Sequence, residues 1–194
     1  MPPKARISKE MIIEEAFQIA RTEGVDRVTA RRISESLNCS TQPVLYYFTT
    51  IDEIKKAVYQ QATGYHTNWI MNMECDDKDP MLSIGMNYIR FAVQERHLFH
   101  LLFQSNEFTG ISLIDLIQSE ELEPIMQVLQ QEAEVTIAEA REIFTTLFIF
   151  VHGYASILAN NEIVYDEKLL EISLTKAFYG AIYATKEVHN EEDI

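Results

Sequence analysis

Residues 29–54 read TARRISESLNCSTQPVLYYFTTIDEI. Thr29 stands where a hydroxyl would cap a helix, and Ile33 and Leu37 follow one turn apart, so a short helix with one apolar side is predicted. Asn38-Cys39-Ser40 ends it. A second short helix then opens, with Ser40 as its expected cap and Pro43 in its first turn, where a missing N–H has no intrahelical partner to lose. Val44 and Phe48 fall on its inner side, leaving Thr41, Gln42, Tyr46 and Tyr47 outside. Two short helices joined by a tight turn form a helix-turn-helix.

Working upstream, ISKEMIIEEAFQIARTEG carries Ser8 as a cap and Gly24 as a stop. Ile12, Ala16 and Ile19, with Ile13, Phe17 and Ala20 beside them, lie on one broad apolar face. This longer helix braces the other two. In such a unit the second helix enters the DNA major groove and its early residues meet base edges. Gln42 suits a bidentate pair with adenine, and Thr41 suits a thymine methyl or a phosphate. Tyr46 and Tyr47 offer rigid rings with hydroxyls for phosphate, and Thr29 at a helix start offers another anion contact. Lys4 and Arg6 on the arm, Arg31 and Arg32 on the second helix, and Lys55 and Lys56 beyond the third surround this surface with cations. The expected DNA contacts are therefore Lys4, Arg6, Thr29, Arg31, Ser40, Thr41, Gln42, Pro43, Tyr46, Tyr47 and Lys55.

Charge agrees with that division. Through residue 60, nine Lys/Arg face eight Asp/Glu; the rest holds seven against twenty-two, so the net −14 lies almost wholly in the body. An acidic body repels nucleic acid, whereas the front does not.

From Ser8 to Val58 the chain resembles the DNA-binding domain of TetR-family transcriptional regulators. The matching run is MIIEEAFQIARTEGVDRVTARRISESLNCS followed without a gap by STQPVLYYFTTIDEI. Phe48 and Asp52-Glu53-Ile54 match the aromatic and the acidic-acidic-apolar run that leads into a fourth helix. The chain departs from the family pattern at Leu45, usually Tyr, at Tyr47, often His, and at Thr49 and Ile51, where Lys is frequent. Arg32 stands where an acid is common.

The remainder reads as helices: one from Asp52 through IKKAVYQQATGYHTNWIMNM, then MLSIGMNYIRFAVQERHLFHLLFQ, a segment near Pro124, and two strongly apolar segments, IAEAREIFTTLFIFVHGYASILANN and DEKLLEISLTKAFYGAIYATKEV. The acidic tail HNEEDI is expected to be unstructured. The whole implies an all-α chain: a three-helix, helix-turn-helix DNA-binding domain over residues 1–52, with the motif at about 29–48, and a helical ligand-binding and dimerisation domain over 53–194.

The resemblance implies a homodimer paired through the last two helices, and Phe144, Phe148, His152, Ala155, Leu170, Leu174, Phe178 and Ile182 have the spacing for that interface. It also implies a cavity for a small, apolar effector, with Trp69, Met86, Tyr88, Phe91, Phe103, Met126 and Tyr154 as its lining. Aromatic and Met side chains make adaptable apolar walls, although at helical spacing they also serve as plain core. A dimer of this kind binds a near-palindromic operator in double-stranded DNA and releases it when the effector favours the other conformation.

Other chemistry finds little footing. His97 and His100 beside Glu95 have metal-compatible spacing, but no second pair completes a site. Cys39 and Cys75 are too few for a disulfide framework. No phosphate loop and no nucleophile–base arrangement is legible. The reading is thus of a non-enzyme without metal or cofactor. MPPKARISKE lacks a signal peptide's apolar core, and no stretch is read as long and apolar enough for a membrane span, so a cytoplasmic location without membrane contact is expected. Two other functions fit parts of the pattern: a helical small-molecule or lipid carrier that has lost DNA binding, and an adaptor using its apolar terminal helices.

Overall fold

A computed structural model describes residues 7–72, 79–105 and 117–192. The described residues are helical with short turns between: α1 (Lys9–Glu23), α2 (Ala30–Ser36), α3 (Gln42–Tyr47), α4 (Ile51–Asn72), α5 (Pro80–Gln94), α6 (Arg96–Phe103), α7 (Glu123–Ala133), α8 (Ile137–Asn160) and α9 (Glu167–Glu192). The chain divides into two compact units, residues 1–67 with 95–107, and residues 68–94 with 108–194.

In the first unit the local signals act largely as the sequence implies. The Ser8 hydroxyl accepts the Met11 N–H at 3.2 Å and starts α1. Gly24 ends it at φ 94°, a backbone conformation in which any other side chain is strained. Thr29 caps α2 by accepting the Arg32 N–H at 3.1 Å. Ser40, however, does not cap α3: the helix begins one residue later, with Thr41 at the cap position and no side-chain cap, and the Leu45 N–H bonds the Thr41 carbonyl at 3.0 Å. The signal that starts α4 lies in Thr49-Thr50. There the Glu53 carboxylate accepts the Thr49 N–H at 2.9 Å, while the Thr50 hydroxyl accepts the Glu53 N–H at 3.3 Å. Ile12, Ala16, Phe17, Ile19, Ile33, Val44, Phe48, Ile54 and Val58 are buried and form this unit's core.

The apolar run from Met81 to Gln104 is not one helix. It breaks at Glu95, whose φ of −114° and ψ of 46° leave the α region, and α6 resumes at once. Glu95 is buried there and accepts Arg21 Nε at 2.8 Å, a second bond from the same guanidinium, and the Tyr65 hydroxyl at 3.0 Å. Arg21 also lies over the Tyr65 ring, 5.1 Å from its centre. Thus α1, α4 and α6 meet on one carboxylate.

In the second unit α5 packs against α7, α8 and α9. Met81, Ile84, Met86, Tyr88, Ile89 and Phe91 are all buried, so the helix is enclosed on every side rather than along one stripe. Gly85 permits this: a Cβ there would stand 2.7 Å from Leu174 Cδ2. Buried Asn87 donates to the Ile70 carbonyl at 3.3 Å and accepts from Arg90 at 3.2 Å, which satisfies a polar side chain inside the bundle. Thr136 and Glu139 form a reciprocal capping box at the start of α8.

Two expectations change here. The tail does not fray at His189, since α9 continues through Glu192. α8 is long and apolar enough to cross a membrane by composition, contrary to the sequence reading, but Ala140, Ile143, Phe144, Leu147, Val151 and Ala155 turn into the bundle as in a core helix. Among the expected dimer residues, Phe144, Ala155, Leu170, Leu174 and Phe178 are buried within the single chain, and Phe148, His152 and Ile182 are half-buried. Their spacing marks the inward faces of α8 and α9. The outward faces carry Ile149 and Ile157, and Leu169, Ile172, Tyr179 and Tyr183, all exposed.

Candidate nucleic-acid interface

The turn between α2 and α3 is made by Asn38 in the left-handed region at φ 49°, which asparagine tolerates better than most residues, and by the Cys39 N–H bonding the Ser34 carbonyl at 3.0 Å. α3 is only six residues long, with Pro43 in its first turn. Val44 and Phe48 point inward as the ungapped register requires, and Ile54 reaches the core with them. Gln42 and Ser40 are exposed, Thr41, Pro43 and Tyr47 are half-buried, and Tyr46 is 82% exposed. The Tyr46 and Tyr47 rings meet edge to face, 5.1 Å apart.

Thr29 is exposed at the start of α2; its oxygen accepts the Arg32 N–H, and its own O–H can still donate outward. Around it, the arginines are held by the chain's own carboxylates. Arg31 Nε donates to Glu35 at 2.8 Å. Arg32 donates to Glu23 at 3.2 and 2.5 Å and to Ser36 at 2.7 Å, which fastens α2 to the end of α1. Each pairing raises the guanidinium's pKa further, the hydrogen bond to its carboxylate being the chief cause. Lys9 sits over the Phe48 ring at 5.2 Å, Lys55 is half-buried and Lys56 exposed. Lys4 and Arg6 lie outside the described residues.

Two features escaped the sequence reading. Leu45 is 62% exposed on α3, one turn from Gln42, in a helix whose other aliphatic residue is buried. The Arg21–Glu95–Tyr65 cluster joins residues 74 and 30 positions apart. No local pattern announces such a pairing, and Glu95 draws notice in the sequence only as a neighbour of His97 and His100. Among the described residues no three His, Cys, Asp or Glu side chains gather as a metal site would require. Cys75 is outside the described residues, and Cys39 is a half-buried free thiol.

The expected effector lining separates between the units. Phe103 belongs to the first, against His66 and Phe99, with ring centres 5.1 Å from each. His66 Nε2 is enclosed, and burial lowers the imidazole pKa to about 4. Trp69, Met86, Tyr88, Phe91, Met126 and Tyr154 belong to the second unit. Trp69 meets Phe91 edge to face at 5.7 Å, while Met86, Tyr88, Phe91 and Met126 are buried. The Tyr88 hydroxyl and His152 Nδ1 lie 2.9 Å apart beside the stacked rings of Phe144 and Phe148. Burial raises the Tyr88 pKa and lowers that of His152, so both stay neutral near pH 7. A small apolar cleft lined by Met81, Leu82, Gly85, Leu147, Val151, Leu174 and Phe178 holds about 10 Å³, room for no more than one water molecule, and includes none of the expected lining residues.

A short helix whose polar and aromatic residues are exposed, held by a capped partner helix and a left-handed turn, defines a helix-turn-helix. Solved structures share the arrangement over most of the chain. A tetR-family transcriptional regulator from Streptomyces coelicolor superposes with a TM-score of 0.69 at 15% identity, over 94% of this chain and 83% of that one. A transcriptional regulator from Rhodococcus sp. Rha1 gives 0.68 at 18% identity, over 92% of this chain and 97% of that one. A TetR-like transcriptional regulator from Rhodococcus sp. RHA1 gives 0.58 at 12%, over 90% and 97%. The all-α, TetR-like fold expected from the sequence is therefore the fold of this chain. No protein-family model and no curated protein matches the sequence.

Proposed function

We propose that this chain is a DNA-binding transcriptional regulator of the TetR kind, and most simply a repressor. α1–α3, within residues 1–52, read the operator; residues 53–194 bind a small effector and pair two copies. The observation that carries the reading is the exposed side of α3, where Gln42 and Tyr46 project from a helix otherwise fixed by Val44 and Phe48. Gln42 pairs with an adenine edge, while Thr29, Thr41, Tyr47 and Lys55 contact phosphates and set the register.

Two copies pair through the outward faces of α8 and α9, whose exposed Ile149, Ile157, Ile172, Tyr179 and Tyr183 form apolar surface a monomer has no reason to leave in water. Gly153 lies on that outward side of α8 with open space beside it, which permits close helix approach. The effector is apolar, met by the aromatic and Met side chains of the second unit, Trp69, Met86, Tyr88, Phe91, Met126 and Tyr154. Its preference for one conformation releases DNA by population shift.

The test is a gel shift against DNA upstream of the chain's own gene, over a range of salt. Binding should weaken as salt rises. Gln42→Ala should lower discrimination between sites by about 1–3 kcal/mol, whereas Lys55→Ala should weaken all sites alike. Equal loss on cognate and scrambled duplex for Gln42→Ala excludes base reading. Absence of any DNA binding favours a carrier of small molecules, a reading supported by the engagement of Arg31 and Arg32 with Glu35 and Glu23.

A further inference from the structure

Of the large apolar side chains left exposed in the described part of the first unit, Leu45 and Tyr46 far exceed the remaining one, Met11. They are adjacent, and both share a side of α3 with Gln42, at spacings of three and four residues. Among the described residues of the unit nothing covers Leu45, which is 62% exposed. The two arginines of α2 beside this face are engaged by the chain itself: Arg31 with Glu35, and Arg32 with Glu23 and Ser36. The reading face is therefore apolar beside one amide, a pattern with a specific complement in the major groove. Adenine offers the N6/N7 edge that an amide matches, and thymine alone among the bases projects a methyl group there.

We propose that Leu45 is a specificity-determining residue that packs on the C5-methyl of a thymine next to the adenine read by Gln42. This rests on the DNA-reading role of α3. Each half-site then holds an adjacent adenine and thymine, and sequence preference comes more from methyl contact than from charge. Removing one buried methyl weakens binding about fourfold, and removing one in each of two half-sites about 15-fold.

The test starts from a randomised duplex pool from which the purified full chain selects binders. The enriched duplex is then resynthesised with deoxyuridine in place of thymidine, which deletes only the methyl groups. Wild type should bind the deoxyuridine duplex at least fourfold more weakly. Leu45→Ala should bind both duplexes within twofold of each other, and Leu45→Met should keep the wild-type difference. Because Leu45 is exposed, neither substitution removes core packing. A wild-type difference below twofold, or a difference undiminished in Leu45→Ala, overturns the proposal while leaving DNA reading intact. Failure to enrich any duplex overturns DNA reading itself, and this inference with it.

Discussion

Arg21→Met should destabilise the chain more than Glu95→Gln, although both break the same pair. The Glu95 side chain is 7% exposed and that of Arg21 is 35% exposed. Removing the guanidinium leaves a buried carboxylate with Tyr65 as its remaining partner in the cluster, the situation in which breaking a buried pair costs about 3–5 kcal/mol. Because a third of Arg21 already meets water, solvent screening reduces the expected loss to about 2–3 kcal/mol. Glu95→Gln instead frees an arginine that can swing outward, and forfeits one charge-assisted bond, about 1.5 kcal/mol at the low end of the range for such bonds because Arg21 is partly exposed. Tyr65→Phe should cost about 1 kcal/mol. The decisive arm is Arg21→Met combined with Glu95→Leu: an apolar pair no longer needs solvating, so the double variant should recover part of what Arg21→Met loses. Urea unfolding followed by far-UV circular dichroism measures all four, and fluorescence of Trp69, the one tryptophan, reports separately on the second unit. A double variant no more stable than Arg21→Met alone, or a Glu95→Gln loss exceeding that of Arg21→Met, refutes the reasoning.

His66 supplies a pH dependence. Its folded pKa of about 4 lies below the ordinary 6.5, so the unfolded chain binds a proton that the folded chain refuses. Its contribution is complete above pH 6.5 and falls as pH is lowered through 6.5 towards 4, reaching about 3 kcal/mol lost at pH 4. His66→Gln should flatten that part of the stability–pH curve, and parallel curves for the two proteins would argue against it. For pairing, Ile149→Glu and Tyr179→Glu each place a charge on an exposed apolar face. Light scattering should then report the 22.4 kDa single chain where wild type gives twice that mass. A wild type already at the single-chain mass, or a dimer that survives both changes, contradicts the proposed interface.

Helix ends were legible because their signals are local. Ser8, Gly24 and Thr29 act within four residues of where they stand, and the structure uses them as read. Ser40 misled because two hydroxyls stand side by side before α3, and composition does not say which backbone turns first. The apolar spacing of α8 and α9 was legible too, but not which stripe packs within the single chain. Phe144 and Leu174 on one side and Ile149 and Ile172 on the other are all apolar, so periodicity alone does not separate an inward stripe from an outward one. The role of Glu95 was not legible for a different reason: its partners come from α1 and α4, and only the folded chain brings them together.

The carboxylates that hold Arg31 and Arg32 also bear on how such a protein would find its address. A chromosome offers vastly more wrong positions than right ones, and every stop at a wrong one is governed by indiscriminate attraction to the backbone. A searcher whose guanidinium groups are already answered at home makes brief stops. On the proposed reading it would lose few of its copies to irrelevant sequence, and a modest cellular supply would keep its operator occupied.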